Sequence, residues 1–270
     1  MKASLDSIWL NELTWEEVAE YLKEDDMVIF PIGSTEQHGP AGPLGLDTYV
    51  AISLAEDVAR RAEVLCTPPL WFGDSSHHLA FPGTISLRTD TIISIVRDSA
   101  FSLAKHGFRH ILIINGHKGA NLPALLTATK ELREYEMPEV FFAVIDPGKI
   151  GRGAGKFKEA KEHHAGELEI SEIWHKYPHL IKSDRLTEKE PELGEIFSPF
   201  FHDDLFGGGG DVIDIPWTSQ EEKEFAPSGS FSISAKASPE KGELYHDYLV
   251  ERIVEFIQWL RQRSGKTSHH

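Results

Sequence analysis

The chain has 270 residues, 40% of them hydrophobic and 26% charged, with a formal net charge of −16 and a single cysteine, Cys66. This length allows one large α/β domain or two small ones. The acidity, with no lysine/arginine run to offset it, argues against a nucleic-acid partner, and one cysteine rules out an intrachain disulfide. The N-terminus lacks an apolar signal core, and no apolar run is long enough to span a bilayer. The expectation is a cytoplasmic protein with no membrane partner.

In chain order, Thr14-Trp-Glu-Glu17 is a capping-box pattern. It predicts a helix to about Lys23 with Trp15, Val18, Ala19 and Leu22 on its buried face. Met27-Val-Ile-Phe-Pro-Ile32 reads as a strand that ends abruptly in a loop rich in glycine and proline. That loop carries Glu36, His38 and Asp47, all metal-ligand types. Glu36 and His38 sit at i and i+2, which in extended backbone points both side chains to one side. Such a set suits a borderline-hard divalent ion such as Zn2+ or Mn2+. The alternative is a polar loop that merely turns the chain.

A helix follows from Asp47, with Val50, Leu54, Val58 and Ala59 at helical spacing, and then a short strand at Val64-Leu-Cys66. The stretch Trp71–Thr84 is long for a connector and unusually aromatic, which marks it as functional. It contains His77 and His78. Neighbouring residues of an extended loop point opposite ways, so only one of the pair is expected to face a site. A helix over 90–106 stops at Gly107, and His110-Ile-Leu-Ile-Ile-Asn115 is an apolar run of the kind buried on both faces of a parallel sheet. It breaks at Asn115-Gly-His117-Lys118, and a helix begins at about Leu122. Val140–Ile145 repeats the strand pattern. Glu162-His-His164-Ala-Gly-Glu167-Leu-Glu169 then leads into a helix through about His175.

Alternation of strands and helices predicts a parallel sheet covered on both faces. Ligands of such sheets bind beyond the carboxyl ends of the strands, where Glu36, His38 and His117 all fall. From 178 to 237 the alternation is lost, and this stretch reads as a long excursion packed on the same domain. Within it His202, Asp203 and Asp204 read as solvated loop residues. Gly207–Gly210 is no phosphate loop, lacking the Lys-Ser/Thr ending. Ser238-Pro239 starts a long C-terminal helix with Leu244, Leu249, Ile253, Ile257 and Leu260 as its buried stripe. Residues 1–265 are expected to form one domain and 266–270 a disordered tail or tag remnant, whose histidines stay out of the metal argument.

Together, Pro31-Ile-Gly-Ser-Thr-Glu-Gln-His-Gly-Pro40, Gly45-Leu-Asp47, Phe81-Pro-Gly-Thr-Ile-Ser-Leu87, Asn115-Gly-His117, His164-Ala-Gly-Glu-Leu-Glu169 and Pro227-Ser-Gly229 resemble the successive signatures of the creatininase (creatinine amidohydrolase) family. The resemblance implies a flavodoxin-like α/β/α sandwich with a central parallel sheet, assembled as a homo-oligomer, a hexamer. It implies two divalent metal ions, zinc or manganese. Glu36 and His117 match ligands of one ion and His38 of the other. Asp47 matches the bridging carboxylate, Glu169 the final ligand, and His164 the histidine of proton transfer. Creatininase itself places a glutamate two residues after the histidine, where this chain has Gly119, so Glu169 is the choice for the last ligand. Lys118 departs from the usual glycine and is either a substrate-binding cation or a solvent-facing lysine. His78 is a candidate for orienting substrate, and Trp71 and Trp217 are candidate pocket walls.

The leading expectation is a metal-dependent amidohydrolase cleaving a C–N bond of a small cyclic amide or formamide with water activated between the two ions. The alternatives are a metallopeptidase or a metal-dependent lyase or isomerase of the same family. A non-enzymatic metal-binding oligomeric scaffold ranks last, because structural zinc sites are usually cysteine-rich.

Overall fold

The structure is a computed structural model that describes residues 6–189 and 216–267. Four parallel strands, β1 (Met27–Ile32), β2 (Leu65–Cys66), β3 (His110–Asn115) and β4 (Phe141–Ile145), stand in the order β2-β1-β3-β4. The helices are α1 (Trp15–Tyr21), α2 (Leu46–Ala62), α3 (Thr89–His106), α4 (Leu122–Glu131), α5 (Pro147–Ile150), α6 (Glu167–Lys176), α7 (Ser219–Phe225) and α8 (Pro239–Thr267). Sequential strands are parallel, so each must be reached by a crossover, and the helices supply it.

Every residue of β1 is buried, as an apolar run covered on both faces requires. The pleat divides the strand residues between two cores. Met27, Ile29, Leu112, Ile114 and Ile145 pack against α2, α6 and α8. Val28, Phe30, Ile111, Ile113 and Phe142 pack against α3, α4 and Tyr21 of α1. The result is the expected three-layer α/β/α sandwich with flavodoxin-like strand order.

Two expected faces are corrected. Trp15 is 77% exposed. The seven-residue α1 is anchored instead at its far end, where buried Tyr21 donates its hydroxyl to the Met27 carbonyl at 2.6 Å. Leu244 is 54% exposed, and the buried stripe of α8 runs through Tyr245, Leu249, Ile253, Ile257 and Leu260. Steps of four and three residues from Tyr245 reach each of these. The helix continues through Lys266 and Thr267, which the sequence reading assigns to the tail. His202, Asp203, Asp204 and Gly207–Gly210 lie outside the described residues. The excursion does contain a helix that periodicity did not predict, α7, opened by a capping box between Thr218 and Glu221.

Register decides where the site falls. Ile32 pairs with Asn115 at the carboxyl ends of β1 and β3. The two loops that follow therefore leave the sheet at the same height, side by side. This is also where the strand order reverses, the crevice in which open α/β sheets place ligands.

Candidate metal centre

The loop after β1 delivers Glu36 and His38, and the start of α2 delivers Asp47. The loop after β3 delivers His117. Gly116 permits the close approach of these loops, since a Cβ there would sit 1.9 Å from the main-chain oxygen of Asp47. His117 Nδ1 consequently lies 2.9 Å from Asp47 Oδ2, and its Nε2 lies 3.2 Å from Glu36 Oε2 and 2.8 Å from the carbonyl of Asp74. His38 Nε2 is 3.2 Å from the other Asp47 oxygen. Ser34 donates its hydroxyl to Asp47 Oδ2 at 2.6 Å. Asp47 thus stands between the two imidazoles, one oxygen toward each.

Glu36 is fully buried, and neither of its carboxylate oxygens has a well-aligned donor, although the Ser75 hydroxyl stands close enough to favour its charge. Imidazole nitrogens of His117, His78 and His164 stand 3.2, 3.4 and 3.7 Å away without hydrogen-bonding alignment. Burial pushes the Glu36 carboxyl above the usual carboxylate range, even with His117 pulling the other way. A buried carboxylate with no well-aligned donor is costly unless something else neutralises it. For His117, burial opposes the charged ring, but Glu36 and Asp47 outweigh it and lift the imidazole to about 10. His38 follows the same logic through Asp47 and reaches about 9. The donor set of carboxylate oxygens and imidazole nitrogens fits a divalent ion. Glu36, His38 and Asp47 offer ligand atoms all within 4.8 Å of one another, and so do His38, His164 and Glu169.

His164 precedes α6. Its Nε2 lies 2.7 Å from the main-chain carbonyl of Gln37, an acceptor, and 2.9 Å from the Gln37 side-chain amide nitrogen, a donor, while Nδ1 faces Glu36 at 3.7 Å. The Gln37 amide nitrogen lies 3.0 Å from His78 Nδ1 and 2.9 Å from His164 Nε2, and donates to the Gly229 carbonyl at 2.9 Å. Burial, and the neighbouring His38 ring, hold the His164 imidazole well below its ordinary range. Glu169, in the first turn of α6, accepts from the Ala165 N–H at 2.9 Å through Oε2. Its Oε1 meets the Lys118 ammonium at 3.2 Å.

A cavity of about 440 Å³ opens over this cluster, lined among others by Glu36, Asp47, His117, Lys118, Glu169 and Trp217. Trp71 is not part of it. That ring packs edge-on against Tyr49, 5.3 Å between centroids, and Trp217 supplies the wall instead. Both His77 and His78 line the cavity, against the expectation that only one would. Ser76–His78 forms a tight 3₁₀ turn, in which successive side chains diverge by about 120° and not 180°. Glu222 on α7, which sequence reasoning missed, also lines the cavity, 2.5 Å from His78 Nδ1. Burial, with Glu36 adding to it, pushes the Glu222 carboxyl up to about 9. The signal that would have found it is the Thr218–Glu221 capping box, the same pattern that marked α1.

An open parallel sheet with a buried carboxylate–imidazole cluster at its switch point defines an α/β protein of the metal-binding kind. The family model described as creatinine amidohydrolase matches residues 11–257, and the chain belongs to the creatininase family. It is 29% identical to the creatinine amidohydrolase of Pseudomonas putida, over 93% of this chain and 96% of that one. It is 25% identical to the 3-dehydro-scyllo-inosose hydrolase of Thermotoga maritima, over 95% of this chain and 84% of that one. A mycofactocin precursor peptide peptidase of Mycolicibacterium smegmatis is 35% identical over 60% of this chain and 62% of its own length. Among solved structures, manganese creatininase superposes with a TM-score of 0.76 at 26% identity, covering 94% of this chain and 98% of that one. A Zn–Zn form of a creatininase variant gives the same score and the same coverage.

Proposed function

We propose that this protein is a metal-dependent amidohydrolase that cleaves the C–N bond of a small cyclic amide or formamide. Glu36, Asp47 and His117 would hold one ion and His38, Asp47 and Glu169 a second; of these residues Glu36, His38 and Asp47 already offer ligand atoms within 4.8 Å of one another. The observation that carries the reading is Glu36: a fully buried carboxylate with no well-aligned donor, set among three imidazoles. The manganese and zinc forms of creatininase support the choice of ions.

Bound divalent ions supply Lewis acidity and lower the pKa of a coordinated water toward neutrality. The chain's own residues supply the rest. Hydrolysis adds water across the C–N bond, so the carbonyl carbon gains oxygen and the departing nitrogen must gain a proton. His164 handles that proton at Nδ1. In this reading the ring would take the proton from the attacking water and pass it to the departing nitrogen, so the proton that leaves the water is the one the nitrogen gains. The His78 ring, held by Glu222, and the Trp217 and Phe231 walls shape the substrate side.

The peptidase relatives favour a second reading, cleavage of a small peptide, and the proposed chemistry is the same at a peptide C–N bond. The protein stripped by a chelator and reloaded with Zn2+ or Mn2+ is assayed against creatinine, hydantoins, formamides and dipeptides. Metal-restored turnover of a cyclic amide or formamide is the expected result. Turnover of dipeptides alone selects the peptidase, and full activity in the stripped protein overturns both.

A further inference from the structure

The loop that carries His117 also carries Lys118, whose side chain is only 5% exposed. Its ammonium points toward α6 and α8. Nζ is 3.2 Å from Glu169 Oε1 and 5.8 Å from the centroid of the Tyr245 ring. After Glu169 and Tyr245, its strongest electrostatic neighbours are Glu172 and Glu162, and neither Glu36 nor Asp47 ranks with them. Glu172 follows Glu169 by one turn of α6. Glu162 caps the same helix, accepting from the N–H groups of Leu168 at 2.9 Å and Glu169 at 3.1 Å. The ammonium of this buried cation is thus committed to Glu169 at 3.2 Å, with Glu172 and Glu162 as further electrostatic neighbours.

Glu169 is held at both oxygens, by the Ala165 N–H on Oε2 and by Lys118 on Oε1. Each carboxylate oxygen has two acceptor sites, so these contacts fix the rotamer and still leave lone pairs for the side shared with His38 and His164. The stem of Lys118 is confined as well. A Cβ on Gly148 would touch its Cβ and Cδ at 3.5 Å, and the Gly119 N–H is tied to Asp146 Oδ2 at 3.2 Å. A lysine recruited to bind an anionic substrate would present a free ammonium to the cavity. This one, though it lines the cavity, is already paired with Glu169.

We propose that Lys118 is a positioning residue for Glu169, the means by which this chain, with glycine at 119, secures its last metal ligand from α6. The inference rests on the two-locus reading above. Without the ammonium, Oε1 of Glu169 loses the contact that fixes its direction, and the side chain is free to turn away from His38 and His164. Partners that orient a metal ligand are commonly worth 10- to 100-fold in metal affinity.

The test uses the full chain, stripped with a chelator and titrated with Zn2+ or Mn2+ while stoichiometry and stepwise affinity are recorded. Wild type is expected to take two ions. Lys118→Met is expected to keep the first and to bind the second roughly 10- to 100-fold more weakly. Glu169→Gln should reproduce that loss, and Lys118→Arg, which retains the charge, should recover part of it. Should the methionine variant fail to fold, Lys118→Gln reads the same quantity. Two ions bound by Lys118→Met with wild-type affinity, or a change confined to KM, overturns the positioning role and leaves the two-locus reading standing. One ion bound by wild type overturns that reading and the inference with it.

Discussion

Replacing Glu36 by glutamine has opposite effects on the two forms of the protein. In the ion-free chain the surroundings disfavour the Glu36 charge on balance, because burial outweighs the attraction of His117. No well-aligned hydrogen bond is lost on substitution, and glutamine keeps an oxygen for the nearby Ser75 hydroxyl. Glu36→Gln keeps the shape and removes a buried charge but leaves a buried amide and takes a carboxylate from His117, so the stripped variant should be more stable than stripped wild type by about 1 kcal/mol, the low end of the range for an unsatisfied buried polar group. For a chain of this size that is a rise in Tm of about 2–4 °C per kcal/mol. With ions the order reverses. A ligand present at 100 times its Kd adds about 2.7 kcal/mol per site, and the variant forfeits this at the Glu36 locus. Thermal unfolding of both proteins, with chelator and with added Zn2+ or Mn2+, reads all four values. A stripped variant less stable than stripped wild type, with the metal increment intact, would mean that Glu36 is a structural residue and that the centre is wrongly assigned.

Three further outcomes follow from named contacts. His164→Asn should lower kcat by about 10²- to 10⁴-fold, the range for a lost general acid–base, while metal analysis shows the ions retained; loss of metal instead would reassign His164 as a ligand. Gly229 has φ +80°, and a Cβ there would fall 1.9 Å from Gln37 Oε1, so Gly229→Ala should cost at least about 2 kcal/mol in urea unfolding and slow turnover by displacing Gln37 from His164. A pH-dependent contribution comes from outside the cavity lining, where His246 donates to Asp57 at 2.8 Å. That hydrogen bond, with Lys176 helping, holds the Asp57 carboxyl below its usual range, so its stabilisation is present above about pH 4 and lost as pH falls. The His246 ring is raised despite burial by Asp57 and Glu172, so its share is present below about pH 6.5 and lost as pH rises through the folded value. Asp57→Asn should therefore destabilise most between about pH 4 and 6.5, by about 1 kcal/mol given the partial exposure of Asp57, and equal losses at pH 3, 5.5 and 9 would contradict the pairing.

The sheet was legible because β1 and β3 are apolar on both faces, a pattern hard to place anywhere but inside a parallel sheet. Glu36, His38 and His117 were legible for a related reason: each directly follows such a run. What escaped depends on long-range packing. The direction of Trp71 is set by Tyr49, on a different element. The joint entry of His77 and His78 depends on a 3₁₀ turn that the loop composition does not announce. Glu222 arrives from a seven-residue helix too short to show a period, after a stretch with no alternation. Lys118 is the sharpest case. Its position beside His117 was plain, yet only the approach of α6 and α8 decides that its charge goes to Glu169.

The cavity draws on two kinds of chain segment with different histories in the fold. The assigned ion-holding groups come from the ends of β1 and β3 and the starts of α2 and α6, segments locked into the two cores. Trp217 and Glu222 come from α7 and its approach, which pack on the sandwich without joining the sheet. The two sets meet through His78, which lies 2.5 Å from Glu222 and 3.4 Å from Glu36, so a change in the appendage that spares Glu222 would alter the cavity wall while leaving the proposed ion-holding groups in place. Exchanging α7 around a retained Glu222 between this chain and a relative of different activity would transplant preference without rebuilding the chemistry.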